Sequence, residues 1–203
     1  GLIGNLFESE KWHLDISLSA GIPVNSSESS ARLGMPDLDW TIEAGPRLLY
    51  YLSRVKKRSD YIRGLIYLRK AMSTDISYIN QIGWKAGLGI EMKTNFTIGK
   101  NSKLTWTNNL TMNWASKDYL DYYYTVHESY ANVSRPEFSS SSGYASTTIS
   151  SGFVFKYKQL QLTSFVSYQN FSGSQSIESH LVERNSNLMI STGIVWILSS
   201  SRW

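Results

Sequence analysis

No cysteine occurs among the 203 residues, which excludes a disulfide framework, a thiolate metal site and a thiol nucleophile. Long apolar runs are missing as well. No window approaches the roughly eighteen consecutive apolar residues of a membrane-crossing helix. Histidine is scarce: His13, His127 and His180 stand in no HExxH or comparable ligand spacing, so a metal site would need carboxylates gathered from distant segments. Lys and Arg outnumber Asp and Glu by only 20 to 16, and no basic block is interleaved with aromatics as nucleic-acid binding requires. The one basic run, Arg54-Val55-Lys56-Lys57-Arg58, reads as a solvated turn or a headgroup contact between strands. A basic n-region with a cleavage site is absent from Gly1-Leu-Ile-Gly-Asn-Leu-Phe7, so the chain reads as a mature or N-terminally truncated form of an exported protein.

Strict alternation is what the chain has instead. From Trp12 to Ile22 every even position is apolar and nearly every odd one polar, the period of a strand whose two faces meet different surroundings. The pattern returns in Trp40–Tyr50, Ile62–Leu68, Ile82–Met92, Leu104–Trp114, Ile149–Tyr157, Leu160–Tyr168 and Leu188–Leu198, with a weaker aromatic segment at Tyr119–Val126. These nine segments are long, close to the nine to eleven or so residues that cross a bilayer obliquely. A mean hydropathy of -0.26 with 41% apolar residues suits strands that are greasy on one face only. The expected fold is all-β: an antiparallel transmembrane β-barrel, one outer-membrane domain over residues 1–203, with about ten to twelve strands when complete and nine or ten here. A tyrosine-rich β-sandwich is the soluble alternative.

Strand counting predicts a conflict. Directions assigned from the two ends disagree between Ala115 and Ser146, and nine is odd where single-chain bacterial barrels close with even numbers. Either Pro136–Gly143 hides a crossing or strands precede Gly1, and Gly1–Glu8 reads as a turn. Connections at Pro23–Pro36, Lys70–Gln81 and Asn170–Asn187 read as long, and those at Ser53–Asp60, Thr97–Lys103 and Tyr157–Leu160 as short. That asymmetry is expected of external loops and periplasmic turns.

Five tryptophans, Trp12, Trp40, Trp84, Trp114 and Trp196, fall near strand ends as an interfacial girdle requires. On the opposite, lumen-facing positions stand Glu43, Arg47, Arg63, Arg69, Lys85, Glu91 and Lys93. They suit either cross-strand pairs that fill a narrow barrel or a selective pore or ligand site. Gly87 and Gly89 share that face and read as room for neighbouring side chains. His127-Glu128-Ser129 raises the idea of a lipid hydrolase, but neighbours on a strand point apart and no third group or oxyanion hole is evident. Five Asn-x-Ser/Thr triplets, at Asn25, Asn95, Asn109, Asn132 and Asn170, follow from an Asn/Ser/Thr-rich composition.

Several stretches resemble the MipA/OmpV family, the MltA-interacting outer-membrane proteins of Gram-negative bacteria. They are Leu6–Asp15, Ala31–Asp39 with Glu43-Ala-Gly-Pro46, Arg69–Asp75 with Gly83-Trp84, Tyr122–Tyr124 and His180–Glu183, in the family's order. The resemblance implies an outer-membrane barrel in contact with lipid and lipopolysaccharide, with no cofactor. In the best-known member it implies a non-catalytic scaffold joining a lytic transglycosylase to a peptidoglycan synthase. It also implies a missing leader and first strand or two. Members generally close on a terminal aromatic; Gly193–Leu198 fits that last strand, while Ser199–Trp203 extends beyond it. The expected function is an envelope scaffold, the alternative a small-solute channel or ligand-binding barrel, and a lipid-modifying enzyme comes third.

Overall fold

The computed structural model describes residues 2–55, 59–75 and 77–196. Lys56–Arg58 of the basic run, and Leu198 with the Ser199–Trp203 tail, lie outside the described residues. Nine strands follow one another: β1 (Leu2–Glu8), β2 (Trp12–Gly21), β3 (Trp40–Val55), β4 (Asp60–Thr74), β5 (Ile79–Thr97), β6 (Ser102–Ala115), β7 (Gly143–Tyr157), β8 (Leu160–Asn170) and β9 (Ser186–Trp196). They form one antiparallel sheet in which spatial order equals sequence order. The middle strands are long, with 16, 15 and 19 residues in β3, β4 and β5, against a globular norm of about five or six. Among the described residues no ladder joins β1 to β9. The sheet is therefore open, and its two edge strands run in the same direction.

Two segments differ from the expectation, and the first of them removes the direction conflict. Tyr119–Val126 is not a strand. Lys117–Tyr124 form the helix α1, because Tyr119, Leu120, Tyr123 and Tyr124 recur at helical rather than strand spacing. Ser116 caps it, its hydroxyl accepting the Tyr119 N–H at 3.3 Å, and Asp118 sits in the first turn where the helix dipole favours a negative charge. Conversely, Leu2–Glu8 is a strand and not a turn. It pairs from Leu2↔Leu18 to Glu8↔His13, with a shift between Asn5 and Phe7 that breaks the alternation and so hides the strand. β6 and β7 are then direct antiparallel neighbours, and Pro136–Gly143 contains no crossing.

Antiparallel order sends connections 22–39, 75–78, 116–142 and 171–185 to one end and 9–11, 56–59, 98–101 and 158–159 to the other. These are the long-loop and short-turn ends. Lys70–Gln81, expected to be a long loop, is mostly strand, because β4 runs to Thr74 and β5 starts at Ile79.

The two faces separate as the alternation requires. Ile16, Leu48, Ile66, Leu88, Leu110 and Ile190 are exposed on the outer face, while Asp15, Ser17, Thr41, Glu43, Glu91 and Asn113 are buried on the inner one. A belt of apolar side chains on this scale is far larger than soluble monomers leave in water. There are exceptions. Ile82, expected outward, is the extra residue of a bulge, since Ala71 pairs with Gly83 and Met72 with Gln81; it is buried. Leu49 and Leu65 are apolar yet inward, and with Tyr67 they form a small buried cluster. Gly87 makes room there: a Cβ on it would lie 2.2 Å from the Tyr67 ring, whose hydroxyl donates to Asn113 Oδ1 at 2.5 Å.

Candidate functional site

The inner face holds the six charges Glu43, Arg47, Arg63, Arg69, Lys85 and Glu91, and the fold resolves them into three groups. Arg47 lies opposite Asp15 in the β2–β3 register and grips it with two bonds, Nε to Oδ1 at 3.0 Å and Nη2 to Oδ2 at 2.8 Å. Arg63 lies opposite Glu91, with Nη2 at 2.6 Å from Oε1; Tyr61 donates to the same oxygen at 2.6 Å. Glu43 sits between Arg69 at 3.5 Å and Lys85 at 3.4 Å, and accepts from Ser19 at 3.2 Å and Tyr119 at 2.8 Å. Lys85 reaches past β4 to do so. The forked Arg47–Asp15 pair is of the strong kind, and removing one partner from any of these groups strands a desolvated charge.

Sequence reasoning missed two members. Asp15 is the fully buried partner of Arg47, and its signal was its odd position in the first alternating strand. Tyr119 was concealed by the strand reading of its segment. His13 points inward, its Nε2 lying 3.6 Å from Asp15 Oδ2. Lys93 stands 5.6 Å from the Tyr61 ring centroid.

At the long-loop end, α1 folds onto the inner face and the loops lock over it. Gly83, at φ +120, is where the helix docks; a Cβ there would meet Ser116 Oγ at 2.4 Å and Tyr119 N at 2.6 Å. Ser116 exchanges bonds with Trp84, donating to its carbonyl at 3.0 Å and accepting from its N–H at 3.0 Å. Arg32 donates to the Tyr123 carbonyl at 3.2 Å. Arg135 ties the Tyr130, Ala31 and Leu33 carbonyls together. Ser179 reaches the Tyr124 carbonyl at 2.7 Å and Ser30 the Glu183 carboxylate at 2.7 Å. Three separate loops therefore make one cap.

Its electrostatics are those of a packed interior. Burial, then the Glu43 charge, pushes the Tyr119 hydroxyl far above its ordinary range. Burial lifts Tyr124 to about 12. It also lowers the Arg32 guanidinium, with Tyr122 and Asp37 opposing the shift and Arg135 adding to it. Burial works against ionised Asp121, but hydrogen bonds from Lys117 and Thr125 outweigh it and hold the pKa low. Between the cap and the strands lies a cavity of about 580 Å³, bordered by Glu43, Arg69, Lys85, Tyr119 and Gln169.

Three of the Asn-x-Ser triplets have a local explanation. Asn25, Asn132 and Asn170 each accept the N–H of the serine two residues on, at 3.0, 3.0 and 2.7 Å. These are Asx-turns that start loops. His127 and Ser129 fall on a 3₁₀ turn, His127 preceding it and Ser129 within it; His127 borders a small cavity with Arg32 and Asp121 that does not include Ser129.

The five tryptophans are all exposed on the outer face, in two groups. Trp40, Trp84 and Trp114 stand at the long-loop end, Trp114 beside Tyr144 at 6.3 Å. Trp12 and Trp196 stand at the short-turn end, Trp12 against Tyr50 at 4.6 Å. From Trp40 to Tyr50 along β3 is ~33 Å at ~3.3 Å per residue, or ~25 Å in height for a strand tilted by ~40°, the height of a barrel's apolar band.

A family model described as MltA-interacting protein MipA matches residues 1–198. No curated protein and no solved structure matches the chain.

Proposed function

Because the chain belongs to the MltA-interacting protein MipA family, we propose that it is an outer-membrane scaffold, a single barrel domain that holds envelope enzymes together and does not itself catalyse. The observation that carries this reading is the filled and capped inner face. Asp15–Arg47, Arg63–Glu91 and the Glu43 cluster occupy the interior, and α1 covers one end. What remains for function is the surface. The apolar outer belt, two tryptophan groups at bilayer spacing and long loops gathered at one end support insertion among outer-membrane lipid and lipopolysaccharide. In that orientation the short turns face the periplasm, where a lytic transglycosylase and a peptidoglycan synthase work.

The test is capture from detergent-solubilised envelopes with the tagged full-length protein. A lytic transglycosylase and a peptidoglycan synthase are expected in the eluate, and repeated captures holding neither retire the scaffold reading. The cavity of about 580 Å³ beneath α1 favours a second reading, a small-solute binder or channel. Planar-bilayer recordings separate the two, because a capped scaffold is silent. The lipid-hydrolase idea predicts loss of activity on His127→Ala or Ser129→Ala. The scaffold reading predicts no lipase activity to lose.

A further inference from the structure

The two ends of the sheet carry opposite charge. Among the described residues, the connections at the long-loop end hold ten carboxylates against four Lys and Arg, and those at the short-turn end hold Lys11, Lys100 and Lys158 against Glu10. At the strand ends Glu8 pairs with Arg54 at 2.9 Å, and Lys93, Lys103 and Lys156 add further positive charge on the inner face. Lys103 lies directly opposite Lys156 in the β6–β7 register, an arrangement that costs stability unless an anion intervenes. Both are exposed, and neither they nor Lys93 form an ion pair among the described residues. Lys93 also borders, with Tyr51, Arg54, Ser59 and Tyr61, a cavity of about 230 Å³ at this mouth. Arg54 in that wall already pairs with Glu8 at 2.9 Å, so Lys93 is the cation left at the rim for a carboxylate carried on a short aliphatic stem.

We infer that the short-turn mouth is a docking site for an acidic polypeptide segment of a periplasmic partner. The reading rests on the scaffold orientation and names the chemistry its partner presents. Lys93, Lys103 and Lys156 share the inner face, which no lipid reaches, so anionic headgroups are the poorer fit. A chain of Asp and Glu entering the mouth neutralises the Lys103–Lys156 pair and seats one side chain in the Tyr51–Tyr61 cavity.

The experiment uses full-length protein in phosphatidylcholine vesicles, titrated with fluorescent poly-L-glutamate. Poly-L-lysine, isolated peptidoglycan and phosphatidylglycerol vesicles form parallel arms. Poly-L-glutamate is expected to bind, more weakly as salt rises. The Lys103→Glu/Lys156→Glu variant is expected to weaken it by about tenfold, and the Lys103→Gln/Lys156→Gln variant by less, while Lys117→Glu at the other end leaves it unchanged. Heat-modified gel mobility verifies that each variant is folded. Binding that is indifferent to both double variants overturns the inference, and so does binding confined to peptidoglycan or to anionic vesicles. Transglycosylase capture that survives the double reversal also overturns it while leaving the scaffold intact. Charge-dependent poly-L-glutamate binding without any enzyme capture retires the scaffold and keeps the mouth.

Discussion

The long-loop end and the short-turn end solve the same problem in opposite ways. Both must terminate a sheet whose inner face is crowded with polar groups. At the long-loop end the chain supplies its own partners: Arg32 and Arg135 are spent on loop carbonyls, and Tyr119 donates to Glu43. At the short-turn end the turns are too short to fold inward, Lys103 faces Lys156, and no ion pair holds either of them or Lys93 among the described residues. One end is complete within the chain, and the other leaves its charge to be met from outside. For a protein whose interior is filled, that difference points to where a partner acts.

The comparison breaks most visibly if the closed end is opened. Replacing Lys117–Tyr124 with a Gly/Ser linker of equal length removes α1 and exposes the cavity beneath it. Single-channel recordings, silent for the intact protein, are expected to show steps for this variant. A variant as silent as the parent would mean that the strands and their ion pairs, not the cap, block the interior.

Next in size is Glu91→Gln, which takes the carboxylate from Arg63 and adds one more unmatched cation toward the short-turn side. Side chains in this pair are only 11% exposed, so the loss is expected to be about 3 kcal/mol, the lower part of the range for stranding a buried partner. Urea unfolding in vesicles measures it. The same variant should bind poly-L-glutamate more tightly.

These experiments also mark how far the sequence could be read. Alternation alone located β2 to β9 and assigned their faces, because in a sheet with two unlike surroundings the side-chain period is the fold. It failed where the backbone departs from that period. The shift at Asn5–Phe7 hid β1, and the bulge at Ile82 turned an expected outward residue inward. The charged positions were legible as a set, but their pairing was not. Lys85 reaches Glu43 across an intervening strand, and Tyr119 joins them from α1, 76 residues from Glu43 in sequence. Such contacts come from how the cap folds back, which strand spacing does not encode. Helical spacing of Tyr119, Leu120, Tyr123 and Tyr124 behind Ser116 was the available signal for α1, overridden by the aromatic richness common to strands.

Smaller effects sharpen the contrast. In the partner-free protein, Lys156→Glu replaces a like-charge pair with an opposite one and should stabilise by roughly 0.5 kcal/mol. Unfolding curves would then shift upward for a variant whose poly-L-glutamate binding is expected to weaken. The smallest effect is a pH response confined to the cap. Asp121 has a lowered pKa in the folded state, chiefly through Lys117 and Thr125 against the opposing cost of burial. Its contribution is therefore whole above the ordinary carboxylate range and lost as pH falls below it. Hydrogen exchange in 116–142 should quicken below about pH 4, with the strands near the short turns unchanged.

The central claim is that the outer face of each strand meets lipid while the inner face does not. Absence of native cysteine makes its most direct measurement simple: single cysteines placed in turn from Asn109 to Trp114 of β6, spin-labelled in vesicles, and challenged with a lipid-soluble and a water-soluble relaxant. Accessibility to the lipid-soluble relaxant is expected at Leu110, Met112 and Trp114, exposed on the outer face, and its loss at Asn109, Thr111 and Asn113 on the inner one. A flat profile, or even positions answering to the water-soluble relaxant, would contradict it.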